Sequence, residues 1–393
     1  MPDLETPYSR AQFPSTNCSV VELEDRSIRA IIAERQQQLD AVSHHISSLE
    51  TVMHSIYDLH RQLVEKKDKI TQSKNLHKRL GSALWRLPTE ILSIIFHYCL
   101  PPSPSPSPLE APMLLTGICR RWREVAVGTP GLWCWLTVES QYDSEDWRRE
   151  AFWCDSWIKR SRGLPLSLTL RCCSDQLRHF LQPYINQISS LSIRRSHTYQ
   201  PAHLLTDLPA LRELTINISN GDTWPALAQS ISPLSTLHSL KIMGLWFDHE
   251  HLSSLGPVWT YLTNLEIAII QSDGFLRLLQ LCPNLASLMI RAGFSSVKAL
   301  EPFTHPKLQS LRINCDHADT DDLSHLFDAL SLPNLHVLEA SKVEMWPHEA
   351  FKAFLSRSNC PLESLIFSAE VITDAQRAEY TAFIPSLEIV LVP

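Results

Sequence analysis

The sequence predicts an α/β chain: a long N-terminal helix, a small helical domain, and a repeat solenoid in which every repeat adds one strand to a parallel ladder. Three observations predict it. An apolar heptad runs through residues 28–70, two helical patterns flank a proline-rich loop between residues 85 and 135, and a leucine triplet recurs ten times beyond residue 160. The expected boundaries are a disordered tail over 1–22, a coiled-coil helix over 23–80, a helical domain over 81–136 and the repeats over 137–393.

The tail carries Pro, Ser, Thr and Asn without an apolar period, so nothing in it offsets the entropy of ordering. From Ile28 the a and d positions of a heptad hold Ile32, Leu39, Val42, Ile46, Leu49, Met53, Ile56, Leu63 and Ile70. Arg35, His60 and Lys67 fall on the same seam and weaken it. An apolar stripe this long needs a partner. Self-association through residues 28–70, pairing with a different protein, and folding back onto the helical domain each satisfy that need.

In the helical domain, Pro88 sits where a first helical turn tolerates its missing donor, and Leu92, Ile95, Phe96 and Cys99 follow at helical spacing. The loop 101–112 contains six prolines and is expected to be extended and exposed. A second helix then carries Leu114, Leu115, Ile118, Trp122, Val125 and Ala126 on one broad face, ended by Thr129, Pro130 and Gly131. The tryptophans 133, 135, 147, 153 and 157 read as core and as a cap on the first repeat, since base stacking would need accompanying basic charge.

The triplets have the form LxxLxI. Their middle residues are at 168, 191, 214, 240, 265, 288, 311, 338, 365 and 390, a spacing of 23 to 27 residues. That falls within the leucine-rich-repeat period of roughly 20–29 residues. One unit cannot bury its own leucines, so stacking is obligatory. Alternation turns the residue after each middle leucine outward: Ser192, Thr215, Lys241, Glu266, Met289, Arg312, Glu339 and Ile366. A flanking column follows through Arg194, Asn217, Met243, Ala268, Arg291, Asn314, Ser341 and Ser368. The candidate binding residues for a protein or peptide on this concave face are Lys241, Glu266, Met289, Arg291, Arg312 and Glu339. The convex face and the loops are the alternative. Arg291 and Arg312, adjacent there, could hold a phosphate.

Composition excludes several functions. With a net charge of −7 and no basic block beyond Lys66, Lys67 and Lys69, nucleic acid and membrane are not expected as partners. Ten glycines and no GxGxxG or GKS/GKT argue against nucleotide loops. Ten cysteines without a CxxC pair read as reduced and mostly buried. His44 and His45, and the pair His249 and His251, read as solvated rather than metal-ligating. No catalytic residue, metal site or cofactor is expected, so the chain reads as non-enzymatic. No secretory leader or long apolar run is seen, which makes the cytoplasm or nucleus the expected location.

The segments LPTEILSIIF and ICRRWREVAVGTPGLW resemble an F-box, in particular the F-box-like sequences of many fungal proteins. The resemblance rests on Leu87, Pro88, Glu90, Ile91, Leu92, Ile95 and Phe96, then on Ile118, Cys119, Trp122, Arg123, Val125, Ala126, Pro130, Leu132 and Trp133. It implies docking to the Skp-type adaptor of a cullin-RING ubiquitin ligase complex, with C-terminal repeats holding a protein substrate. The adaptor-binding residues would be Leu87, Pro88, Ile91, Leu92 and Ile95, an apolar patch suited to a groove. A ligase-independent scaffold, its F-box-like helices merely structural, is the alternative.

Overall fold

The computed structural model describes residues 22–81, 86–138, 146–171, 175–194, 202–206, 208–218, 224–293, 300–315, 320–343, 345–368 and 371–392. The predicted disordered tail lies outside the described residues apart from Glu22. Residues up to Leu87 and residues from Pro88 onward form separate compact units.

The first unit is built on one helix, α1 (Glu22–Leu80), of 59 residues. Neither Gly nor Pro occurs in that span, and Gln, Glu, Leu, Lys and Arg dominate it, so propensity favours an unbroken helix. Side-chain pairs one turn apart add small increments, as with Gln36 to Asp40 at 2.8 Å and Arg61 to Asp58 at 2.8 Å. Gly81 follows the last turn, its N–H donating to the His77 carbonyl.

The second unit opens with α2 (Thr89–Tyr98), α3 (Met113–Ile118) and α4 (Arg120–Gly128). The single second helix expected over this stretch is broken in two: Cys119 adopts extended dihedrals, and its Sγ accepts the Trp122 N–H at 3.4 Å, starting α4 anew. Leu115, Val125 and Ala126 therefore enter the core while Leu114 and Ile118 stay exposed. Leu92 and Phe96, one turn apart on α2, complete that core, with Phe96 5.0 Å from the Trp122 ring.

A 3-10 turn (Pro130–Trp133) carries the chain into the ladder. Trp133 is the joint. Its indole N–H donates to the Ala126 carbonyl at 2.8 Å, its ring meets Trp157 edge-on at 5.1 Å, and the Arg160 guanidinium lies 4.4 Å over it. Trp133 and Trp157 are core as expected, whereas Trp135 and Trp153 are exposed.

Thirteen strands are described: β1 (Trp135–Val138), β2 (Leu166–Leu170), β3 (Ile188–Ile193), β4 (Glu213–Asn217), β5 (Ser239–Phe247), β6 (Asn264–Ile269), β7 (Ser287–Ala292), β8 (Phe303–Thr304), β9 (Ser310–Cys315), β10 (Leu330–Ser331), β11 (Val337–Ser341), β12 (Ser364–Ser368) and β13 (Glu388–Val392). All but β8 and β10, which pair with each other, form one eleven-stranded parallel sheet in chain order. Between them run α5 (Asp146–Arg160), α6 (Asp175–Leu181), α7 (Ala202–Leu205), α8 (Trp224–Ile231), α9 (His249–Ser254), α10 (Ser272–Leu281), α11 (Thr320–Ala329), α12 (His348–Ser358) and α13 (Asp374–Phe383). The architecture is thus mixed α/β, a long N-terminal helix and a solenoid-like parallel ladder.

The register follows the triplets. Leu168, Leu191, Leu214, Leu240, Leu265, Leu288, Leu311, Leu338 and Leu365 pair in succession, and all are buried. Each such leucine contributes roughly 1.5–3 kcal/mol of burial. The residue before the first leucine of a triplet often ties neighbouring repeats: Thr236 donates to the Leu211 carbonyl at 2.8 Å, Asn284 to Thr260 at 2.7 Å and Asn334 to Pro306 at 2.5 Å. His305, fully buried, does similar work. Its Nδ1 accepts the Leu308 N–H at 3.1 Å, which leaves Nε2–H to donate to the Cys282 carbonyl at 2.9 Å.

Three details differ from the triplet pattern. The ladder starts one strand early, since Leu136 and Val138 of β1 are buried and pair with Leu168 and Leu170, placing the first strand across the expected 136/137 boundary. At the other end Ile389, not Val390, pairs with Leu365, and Val390 takes the outward rung beside Ile366. Finally, the proline loop is not simply extended and exposed: Pro104, Ala111 and Pro112 are buried, and the Pro104 carbonyl accepts the Thr137 N–H of β1 at 2.7 Å. The loop thereby covers an N–H of the edge strand β1 that would otherwise be free, with a residue that has no N–H of its own to offer.

Candidate functional site

Two exposed surfaces of the second unit carry the residues singled out from the sequence. The first is on α2. Pro88, with φ −54° and ψ 154°, precedes the first turn, and the helix runs until Cys99. Ten residues give it two faces. Leu92 and Phe96 are buried, while Ile91, Ile94 and Tyr98 are exposed and Ile95 is half-buried between them. Positions 91, 94, 95 and 98 follow the 3–4–7 spacing of one helical stripe, so these four side chains line one surface. Tyr98 is 88% exposed, an unusual setting for so large a ring on an ordered helix.

Of the five predicted adaptor-binding residues, Pro88 and Ile91 are exposed, Ile95 is half-buried, and Leu87, which belongs to the first unit, is half-buried. Leu92 does not reach a surface. It faces the opposite side of α2 from Ile94 and is fully buried, so it closes the core. Ile94 and Tyr98, outside the predicted set, share the exposed stripe, at the i+3 and i+7 positions from Ile91.

The second surface is the outward face of the ladder. Lys241 and Glu266 are register partners on β5 and β6, and Nζ lies 2.6 Å from Oε2. Arg312 and Glu339 are register partners on β9 and β11, with Nε 3.4 Å from Oε2. Met289, half-buried, sits between the two pairs as the partner of both Glu266 and Arg312. The central column therefore reads cation, anion, methionine, cation, anion across five adjacent strands.

The flanking column departs from the pattern at β5. A three-residue irregularity between Lys241 and Trp246 makes Trp246, rather than Met243, the register partner of Ala268. Gly244 permits it: φ is +82°, and a Cβ there would stand 2.0 Å from the Ile218 carbonyl oxygen. Trp246 reaches over Ala268 toward β7, where the Arg291 guanidinium lies 5.5 Å from its ring centroid. A Cβ at Gly293 would lie 2.8 Å from the same ring. Ala268 is buried although it points outward, because the ring and the guanidinium close above it. Arg291 and Arg312 thus each have a partner of their own on this face, Trp246 and Glu339. Of the six predicted substrate-binding residues, four are held in ion pairs, Met289 lies between them, and Arg291 stacks on a tryptophan that only the unusual Met243–Gly244–Leu245 stretch hinted at.

Several polar groups elsewhere among the described residues serve the fold. Asp248 caps α9 by accepting the His251 N–H at 2.9 Å, and His249 Nε2 lies 3.2 Å from Asp273, so these histidines are structural partners rather than merely solvated ones. The phenol of Tyr380 accepts the Trp346 indole N–H at 2.9 Å and meets His348 Nδ1 at 2.7 Å, while Glu379 binds Lys352 at 2.8 Å, joining α12 to α13. Burial pushes the Cys154 and Cys282 thiols up to about 12, which keeps them protonated and unreactive. Cys134, Cys315 and Cys360 are also buried, Cys99 is exposed, and Cys18, Cys172 and Cys173 lie outside the described residues. Among the described residues no three His, Cys, Asp or Glu side chains gather as metal ligands, and no helix is long and apolar enough to cross a membrane.

No protein-family model matches the chain, and no curated protein matches it.

Proposed function

We propose that the chain is a non-catalytic substrate receptor of a cullin-RING ubiquitin ligase: α2 docks a Skp-type adaptor and the repeat ladder holds a protein substrate. The observation that carries this reading is the exposed stripe Ile91, Ile94, Ile95 and Tyr98, displayed on the opposite face of α2 from core residues Leu92 and Phe96. Such a stripe fits an apolar groove on a partner. The F-box-like motif names the kind of partner, and the triplets stacked in register support reading the ladder as a leucine-rich-repeat array. Such a receptor works in the cytoplasm or nucleus and performs no chemistry itself.

Co-expression with a Skp-type adaptor tests it. The parent chain is expected to co-purify with the adaptor, and Ile91→Asp with Ile94→Asp to weaken the complex by at least about thirtyfold, the scale of a lost hot spot. Circular dichroism of the variant checks that α2 and the ladder still fold. A well-folded parent that forms no complex would overturn the adaptor reading and leave the ligase-independent scaffold.

A further inference from the structure

From Ile32 to Leu76 the large apolar side chains of α1 are exposed, from 43% for Val64 to 67% for Tyr57, while Ile31 before them is half-buried. Six consecutive seam layers, Leu39, Val42, Ile46, Leu49, Met53 and Ile56, contain no charge. They cover about 26 Å of axis, and the full seam from Ile32 to Ile70 covers about 57 Å at 1.5 Å per residue. A surface of that length is what a two-stranded coiled coil buries.

We propose that α1 pairs with α1 of a second copy of this chain, parallel and in register. The flanking positions favour that occupant and that orientation. Beside the seam, Val52, Tyr57, Leu59 and Val64 are apolar where solvated flanks would carry charge. In a parallel pair each g residue faces the e residue five places further along the other helix. Val52 then meets the partner's Tyr57, and Leu59 meets the partner's Val64, so the four extra apolar groups cover one another. His45 meets the partner's Glu50 and Lys66 the partner's Thr71, leaving no like-charge contact at the flanks. An antiparallel pair that keeps the same layers opposes Glu50 to the partner's Glu50, and leaves Tyr57 and Val64 against the partner's Ser43 and Gln36. The charged seam residues, Arg35 and Lys67, lie toward the two ends, where long stems can carry their charges outward to water.

Sedimentation or light scattering of the full chain across the micromolar range reads the mass directly. The chain weighs 44.8 kDa, and a species of twice that mass is expected. Leu49→Asp with Ile56→Asp should give the monomer with its helix content retained by circular dichroism. Orientation is read with Leu39→Cys. Parallel, in-register pairing sets the two introduced thiols face to face, so mild oxidation should give a covalent dimer well above that of the parent, whose own exposed Cys99 supplies the background. A parent that stays monomeric, or a dimer that survives the double aspartate variant, overturns the pairing through α1. A dimer without the added cross-link overturns its parallel register.

Discussion

The long helix and the ladder use the same apolar residues in opposite ways. Leu49 of α1 is 63% exposed, whereas Leu288 of β7 is fully buried, although both occupy the middle of a regular apolar repeat. The difference lies in what the next copy of the repeat can do. Each ladder strand is followed by a return segment that lets the following strand lie alongside, so the repeats bury one another within one chain. A straight helix carries its repeat along a line and cannot turn back to cover itself, so its stripe is left for another surface.

The largest test of that contrast is a matched truncation. Leu288→Ala is expected to cost about 2–5 kcal/mol in a denaturant titration, at any protein concentration, because the cavity lies between strands of one chain. Leu49→Ala should leave the ladder's unfolding midpoint where it was. Its cost is expected to show as weaker association alone, and a ladder midpoint that moved as far as for Leu288→Ala would break the contrast.

The same contrast explains what could be read from the sequence. The triplets predicted ten of the eleven ladder strands, because each middle leucine is buried and a one-residue slip would turn it outward. Leu136 and Val138 were overlooked since β1 has no preceding leucine to complete a triplet, its place being filled by the 3-10 turn at Trp133. The slip at β13 came from a Leu387 that sits two residues before its buried partner Ile389, instead of three. At α2 the helical period was legible, but a list of apolar residues does not say which side the core takes. Packing against Trp122 decides it, drawing Phe96 and with it Leu92 inward and leaving Ile94 and Tyr98 outside.

A second test addresses the place where the ladder departs from its own pattern. Gly244→Ala sets a methyl group against the Ile218 carbonyl at a backbone angle that L residues rarely adopt. The irregularity in β5 must shift, at an expected cost of about 1–3 kcal/mol. The indole should move with it. Trp246 fluorescence is masked by the other tryptophans, so the comparison is best made as a difference between Gly244→Ala and Gly244→Ala with Trp246→Phe. A variant as stable as the parent, with unchanged difference emission, would mean that the glycine is not what positions Trp246.

The smallest expected effect concerns Lys241 and Glu266, and it separates the ladder's surface from its core. The pair is part-exposed, with side chains 38% and 25% accessible, so its attraction is screened and contributes less than about 1 kcal/mol. Lys241→Glu sets two carboxylates on register partners, where like charges repel, and should lower stability by roughly that amount in low salt and by less in high salt. Adding Glu266→Lys restores an attractive pair of reversed polarity and should return the midpoint to the parent value. Both variants leave Leu240 and Leu265 untouched beneath the surface, so a loss larger than this, or one that the second substitution does not repair, would mean that Lys241 supports the ladder through its stem rather than its charge. Full recovery would instead leave a ladder of parent stability with the local field inverted, and any substrate lost by it is lost to electrostatic recognition at that pair.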